Sequence, residues 1–357
     1  MRLKASKGDP LTGTFRFLLA VVVVFSHLVG ARYTAHMGFY AVRAFFVLSG
    51  YVMTSALNEV YGRDGIRFWS NRFLRLLPPY YAVCFATVLA IRLCPEHAAA
   101  FLPRWGFAMT SNELAENLLV APLAFEDLKF RLVPPAWSVA VEIMMYFILY
   151  VGMARSLRGA LLCLTFGVAV QCAWLVMGAP FDERYYSPAG ALLSFSLGAT
   201  IYFARKDDVR PADIKLGALA TVGWVINLLA EGPLFRDGYA LYGGFYVNIV
   251  LAALVIIFLS GLNPRPRLKS LDQALGHLSY PVFLCQWLGA FLAYLIWSGA
   301  HSRGWLLAFS ALPIILMLSA ALAWAHQLFV EPLRARIRTA PPQQRIAASW
   351  ASQAPAE

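Results

Sequence analysis

Arg16 and His27 stand eleven positions apart in Leu11–Gly30, a stretch that is otherwise free of ionisable side chains. At 3.6 residues per turn that spacing is about three helical turns, so both leave one face of a helix, about 16 Å apart along its axis. An ionisable group inside a membrane helix is costly unless it meets a partner or a wet cavity, which makes each a functional candidate. A neutral imidazole in such a place can accept a proton from a hydroxyl nucleophile, and desolvation favours that neutral ring. A snorkelling arginine and a histidine satisfied by a backbone carbonyl would explain the same pair without chemistry.

A working base needs a group that orients it and stabilises the imidazolium. Glu142, in Pro135-Ala136-Trp137-Ser138-Val139-Ala140-Val141-Glu142, is the leading candidate. Ser138 and Glu142 are four apart and share a helix face, and Trp137 is placed to anchor that helix at a membrane interface. Its expected depth, a turn and a half below the outer surface, is close to that of His27. A structural pairing of Glu142 with Arg16 or Arg43 is the alternative. Arg72 and Arg75, in Asn71-Arg72-Phe73-Leu74-Arg75-Leu76-Leu77-Pro78-Pro79, project at i and i+3 as a fork for phosphates at the cytoplasmic edge, where coenzyme A is available. Ordinary anchoring of a helix end by positive charge is the competing reading.

The elements that carry these residues follow from composition. Apolar residues make up 60% of the 357 positions and charged residues 14%, against about 45–50% and about 25% in a soluble domain. Apolar runs of the length needed to cross about 30 Å of hydrocarbon recur along the chain. The fold class is therefore all-α, a polytopic transmembrane helical bundle. Ten spans are expected at 11–30, 38–57, 79–93, 137–154, 160–179, 189–204, 214–230, 240–261, 276–298 and 305–328, the first retained as a span instead of a cleaved signal. With the N-terminus inside, 20 of the 30 Lys and Arg residues fall on the cytoplasmic side and nine on the outer side. That bias predicts N-in and C-in. It also assigns the net charge of +11 to topology and not to nucleic-acid binding. Asn112–Ala124, within the long 94–136 connection, suits a short interfacial helix. A transmembrane domain over 1–338 and a disordered cytoplasmic tail over 339–357 complete the organisation. The five cysteines show no CxxC pattern and read as small buried hydrophobes, and no metal site is expected.

Arg16 with His27, Arg72-Phe73-Leu74-Arg75, and Trp137-Ser138 with Glu142 together resemble the membrane-bound acyltransferase-3 family. Phe45-Phe46-Val47-Leu48-Ser49-Gly50-Tyr51, Leu278-Ser279-Tyr280 and Glu331-Pro332 extend the resemblance over residues 11–335. It implies a catalytic His27 supported by Arg16, an assisting Glu142, and Arg72 and Arg75 holding an acyl-CoA donor such as acetyl-CoA. It also implies a multi-pass protein of a bacterial inner membrane, in contact with lipid, that acylates a polysaccharide or lipid-linked sugar hydroxyl, either directly or through an acyl-histidine. Three departures stand out: Thr12 where an acidic residue is frequent, Arg43 where an aspartate is, and Gln286 where many members have histidine. A transporter or flippase of a glycan or lipid also fits ten spans with intramembrane charge, although no inverted repeat accompanies it.

Overall fold

In hydrocarbon every backbone N–H and C=O must be satisfied within the chain, and long apolar runs meet that demand only as helices. The computed structural model describes residues 11–62, 64–106, 108–125, 130–205, 214–230, 241–262, 265–297 and 303–339. Helices α1 (Thr12–Val29), α2 (Ala31–Ser55), α3 (Gly65–Leu93), α4 (Pro95–Phe101), α5 (Ser111–Leu119), α6 (Ala136–Ile148) and α7 (Leu157–Val176) make the first half. They are followed by α8 (Phe181–Tyr186), α9 (Pro188–Arg205), α10 (Ile214–Leu229), α11 (Gly243–Ser260), α12 (Pro266–Ile296), α13 (Trp305–Phe329) and α14 (Glu331–Thr339). No strand occurs among the described residues, so the chain is an all-α polytopic bundle. Among the described residues eight helices are long and apolar enough to cross a membrane; of the other two expected spans, one falls on α9 and the other on the shorter apolar α10. The expected tail lies, from residue 340, outside the described residues.

Helix α1 is wedged between α2 and α12 and also touches α13, so its ionisable face looks into the bundle. Beyond α2 lie α9 and α11, which hold α7 and α10 in turn, while α3 packs against α12 and α14. The α2–α9 crossing is close because glycine faces glycine-sized gaps. A Cβ on Gly50 would lie 2.1 Å from the Phe195 carbonyl oxygen, and one on Gly198 would lie 2.0 Å from that of Val47. Gly50 of the Phe45–Tyr51 motif is thus a packing residue.

Two helices start earlier than their apolar runs. Helix α3 begins at Gly65, not at 79, and runs through Pro78 and Pro79, which reads as a break in a soluble helix but is tolerated where neighbours re-satisfy the backbone. Tyr280 of α12 ties to this stretch by donating to the Leu76 carbonyl at 2.9 Å. Helix α12 begins at Pro266, ten residues ahead of the expected 276, and this extension places Asp272 against the start of α1. The Asp272 carboxylate accepts from the N–H groups of Gly13 at 3.0 Å and Thr14 at 2.6 Å. Helix α1 has no acidic residue in its own first turn, so its exposed amides and positive dipole end are met from another helix. Asp272→Ala is expected to cost about 0.5–2 kcal/mol, the usual range for a lost cap, read as a lowered unfolding temperature in detergent. An unchanged transition would mean the contact is inert.

The short α14 follows the tenth span. Arg67 closes its C-terminus by donating to the Ile337 carbonyl at 2.9 Å and the Arg338 carbonyl at 2.5 Å, where a cation suits the helix dipole. In the 94–136 connection α5 (Ser111–Leu119) covers the first part of the helix expected at Asn112–Ala124, and the rest is a separate 3₁₀ turn over Ala121–Ala124. Helix α5 is opened by a capping box in which Thr110 and Glu113 exchange hydrogen bonds with each other's backbone N–H.

Candidate active site

Three cavities follow one another through the bundle beside α1. A vestibule of about 310 Å³ is lined by Arg16, Arg72, Arg75, His277, His326, Arg334 and Arg338, among others. A middle chamber of about 70 Å³ is lined by Arg16, Arg75, Ser138, Glu142 and Tyr146, with Phe45, Phe46 and Phe283 supplying apolar walls. The third, of about 210 Å³, holds His27, Trp137, Ser138, Tyr185, Tyr186, Trp287 and Arg303. Arg16, Val52, Met53, Arg75 and Tyr280 line both the vestibule and the chamber, so the two adjoin. Val42, Ser138 and Phe283 line both the chamber and the His27 cavity, so these two adjoin as well. Arg16 and His27 therefore face consecutive compartments instead of the single cavity expected from their shared helix face.

His27 is oriented by Gln286 and not by Glu142. Its Nδ1 lies 2.8 Å from Gln286 Oε1, and the amide of Gln286 is itself fixed because its Nε2 donates to the Phe283 carbonyl at 2.7 Å. With that amide N–H committed, Oε1 can only accept, so Nδ1 carries the hydrogen and the Nε2 lone pair of the neutral ring is left for chemistry. The ring also packs on Trp287, centroids 5.8 Å apart. Sequence reasoning noted Gln286 as a departure without giving it this role; an amide in the middle of an apolar span was the signal. Gln286→Leu is expected to lower turnover by about 10–100-fold, as loss of an orienting partner does, with donor binding unchanged. Full activity in that variant would detach Gln286 from the base.

Glu142 belongs to the middle chamber. Its Oε1 accepts from Ser49 Oγ at 2.9 Å and from the Tyr146 hydroxyl, and it stands among the charges acting on Arg16, together with Arg75 and Arg72. Glu142 and Arg16 thus line one chamber, and the direct partners of the carboxylate are the two hydroxyls. Arg43 is engaged elsewhere: fully buried, it donates to the carbonyls of Gly190, Arg184 and Tyr185 at 2.7–2.8 Å. The rings of Phe46, Tyr185 and Phe245 lie 5.3–5.7 Å from its guanidinium. Ser138 Oγ donates to the Pro135 carbonyl at 3.0 Å. Trp137 is 8% exposed and packs on Tyr185 and Tyr186, so it is a cavity wall instead of an interfacial anchor.

Arg72 and Arg75 differ more than their spacing suggests. Arg72 is buried, donating from Nη1 to Met53 Sδ at 3.0 Å and from Nη2 to the Tyr61 hydroxyl and Asn71 Oδ1, each at 3.1 Å. Arg75 lines both the vestibule and the chamber. The second strong cation of the vestibule comes from α14, which lay outside the expected span set. Arg334 donates to Glu331 Oε2 at 2.5 Å and to Asn71 Oδ1 at 3.2 Å, and Arg338 donates to Glu331 Oε1. Burial, and then the like charge of Arg75, bring Arg334 down to about 10. Guanidinium groups crowded this closely favour an anionic occupant.

A family model described as an acyltransferase domain, acyltransferase-3, matches residues 14–325. A protein of Bacillus subtilis (strain 168) named as a peptidoglycan O-acetyltransferase, YrhL, is 25% identical over 250 residues, covering 64% of this chain and 36% of its own length. O-acetyltransferase OatA of Staphylococcus aureus (strain NCTC 8325 / PS 47) is 23% identical over 313 residues, covering 74% of this chain and 48% of its own. The chain thus matches less than half the length of these curated relatives. No solved structure matches it.

Proposed function

This chain belongs to the acyltransferase-3 family, and from that premise we propose that it is a membrane O-acetyltransferase carrying an acetyl group from acetyl-CoA to a sugar hydroxyl. The observation that carries this reading is the succession of cavities from a cationic vestibule to the free Nε2 of His27. The vestibule is taken to face the cytoplasm of a bacterium and the His27 cavity the outer side of its inner membrane, as the 20-to-9 distribution of Lys and Arg supports. The acceptor class is a cell-envelope glycan. The name of the Bacillus subtilis relative points to peptidoglycan, one kind of the polysaccharide expected from sequence.

In this mechanism Arg75, Arg334 and Arg338 hold the phosphates of the donor, and Arg72 buttresses Arg75's helix through Met53, Tyr61 and Asn71. Arg16 steers the pantetheine arm into the chamber, whose small volume and Phe45, Phe46 and Phe283 walls suit a two-carbon acyl group. His27 Nε2 takes the proton of the acceptor hydroxyl while its oxygen forms the new ester bond to the acyl carbon. The carbon–sulfur bond breaks, and the leaving thiolate takes the proton from the imidazolium. Gln286 keeps the ring in the required tautomer throughout.

The test uses purified protein in nanodiscs, radiolabelled acetyl-CoA and isolated envelope glycans. Time-dependent, protein-dependent label on the glycan with release of coenzyme A is the expected result. A flippase would produce neither, and their absence would end the reading.

A further inference from the structure

The cavity around His27 carries a feature that transfer to a plain hydroxyl does not require. Arg303 sits on its rim two residues before α13, and its guanidinium lies 5.0 Å from the centre of the Trp287 ring. The N–H of the next residue, Gly304, donates to the Leu28 carbonyl at 2.9 Å. That bond ties the segment carrying Arg303 to the turn of α1 that carries His27. The cation is therefore fixed relative to the base, with Trp287 touching both.

The lining has two chemical parts. Trp137, Tyr185, Tyr186 and Trp287 offer flat apolar faces of the kind that pack against the C–H side of a pyranose ring. Among the described residues that line this cavity there is no carboxylate, so nothing within it neutralises Arg303. The guanidinium lies over the Trp287 ring, and its N–H groups match a carboxylate or phosphate.

We propose that this cavity selects an acceptor sugar bearing an oxyanion, which Arg303 holds while the sugar ring lies against the aromatic lining with a hydroxyl towards His27. This rests on the acyl-transfer reading of His27. The oxyanion is either a carboxylate of the glycan itself or a phosphate at the anomeric position of a carrier-linked sugar. Arg303 is a specificity determinant in this scheme and takes no part in proton transfer.

The experiment compares three probes on the nanodisc-embedded protein by saturation-transfer NMR: neutral chitotetraose, a hyaluronan tetrasaccharide bearing uronate carboxylates, and N-acetylglucosamine 1-phosphate. Coenzyme A release from acetyl-CoA is followed in parallel. The wild-type chain is expected to bind at least one anionic probe about tenfold more tightly than the neutral one, the scale of one charge-assisted contact. The favoured anion identifies the source. Arg303→Gln is expected to abolish that preference without weakening chitotetraose, and Arg303→Lys to keep part of it. Equal binding of all three probes by the wild type, or a preference that survives Arg303→Gln, overturns the inference even where acetyl-CoA turnover persists. Loss of turnover in the wild type instead overturns the acyl-transfer reading beneath it.

Discussion

Replacing His27 by alanine is expected to lower acetyl transfer by about 10²–10⁴-fold, the range that a positioned general base contributes, while leaving acetyl-CoA binding in place. The separation is possible because the two functions occupy opposite ends of the cavity series. In the proposed mechanism the donor's phosphates meet the arginines of α3 and α14, whereas His27 lies near the last turn of α1, eleven residues and about 16 Å beyond Arg16. The imidazole is half-buried against a cavity, so its removal enlarges that cavity without opening the packed core built by Leu19, Val23, Val24 and Leu28. Single-turnover transfer from radiolabelled acetyl-CoA, with equilibrium binding of coenzyme A measured on the same preparation, checks both halves. Transfer near the wild-type rate would remove His27 from the chemistry. Loss of binding alongside transfer would point to collapse of the bundle.

The parts of this site that were legible in the sequence are those whose cost is local. Arg16 and His27 are expensive anywhere in a membrane span, so residue type and spacing alone marked them, and Glu142 stood out for the same reason. What each of them touches was not legible, because a helical face says which side chains share a side but not which neighbouring helix arrives there. Glu142 was assigned to His27 by depth, yet the packing of α6 beside Ser49 of α2 gives it to the Arg16 chamber. Gln286 escaped because a neutral amide in an apolar helix costs less than a charge and carries a weaker signal. Its role exists only through a contact with a helix 259 positions away. The arginines of α14 were hidden differently. In sequence they are indistinguishable from ordinary positive charges after a last span, and only the docking of α14 on α3 turns Arg334 towards Asn71 and the vestibule. Likewise, the third span was expected to open only at 79, so the sequence did not show that one helix from Gly65 carries both that span and Arg72 and Arg75.

The largest expected effect on stability comes from Glu142, and it can be separated from the effect on activity. Glu142 is the carboxylate of a chamber that Arg16 and Arg75 also line, and its Oε1 is held by Ser49 and Tyr146. Arg16 feels the like charge of Arg75 and the opposite charge of Glu142. Removing the carboxylate leaves the buried guanidinium groups without their counter-charge, at about 3–5 kcal/mol for an uncompensated buried charge, whereas removing charges of both signs together is often nearly neutral. Glu142→Ala is therefore expected to destabilise the protein by about 3 kcal/mol, the lower end applying because the carboxylate is half-buried. Arg16→Gln combined with Glu142→Gln is expected to recover most of that loss. Acetyl transfer should not follow stability, since the double variant still lacks the guanidinium that steers the donor from vestibule to chamber. Its KM for acetyl-CoA should stay raised, with transfer depressed about 10²-fold, the scale on which misplaced reactants cost rate. Thermal unfolding in nanodiscs set against steady-state kinetics of the two single variants and the double one decides this. A double variant that regains activity along with stability would reduce Arg16 and Glu142 to a structural pair, and the path of the donor would then have to run past Arg75 alone.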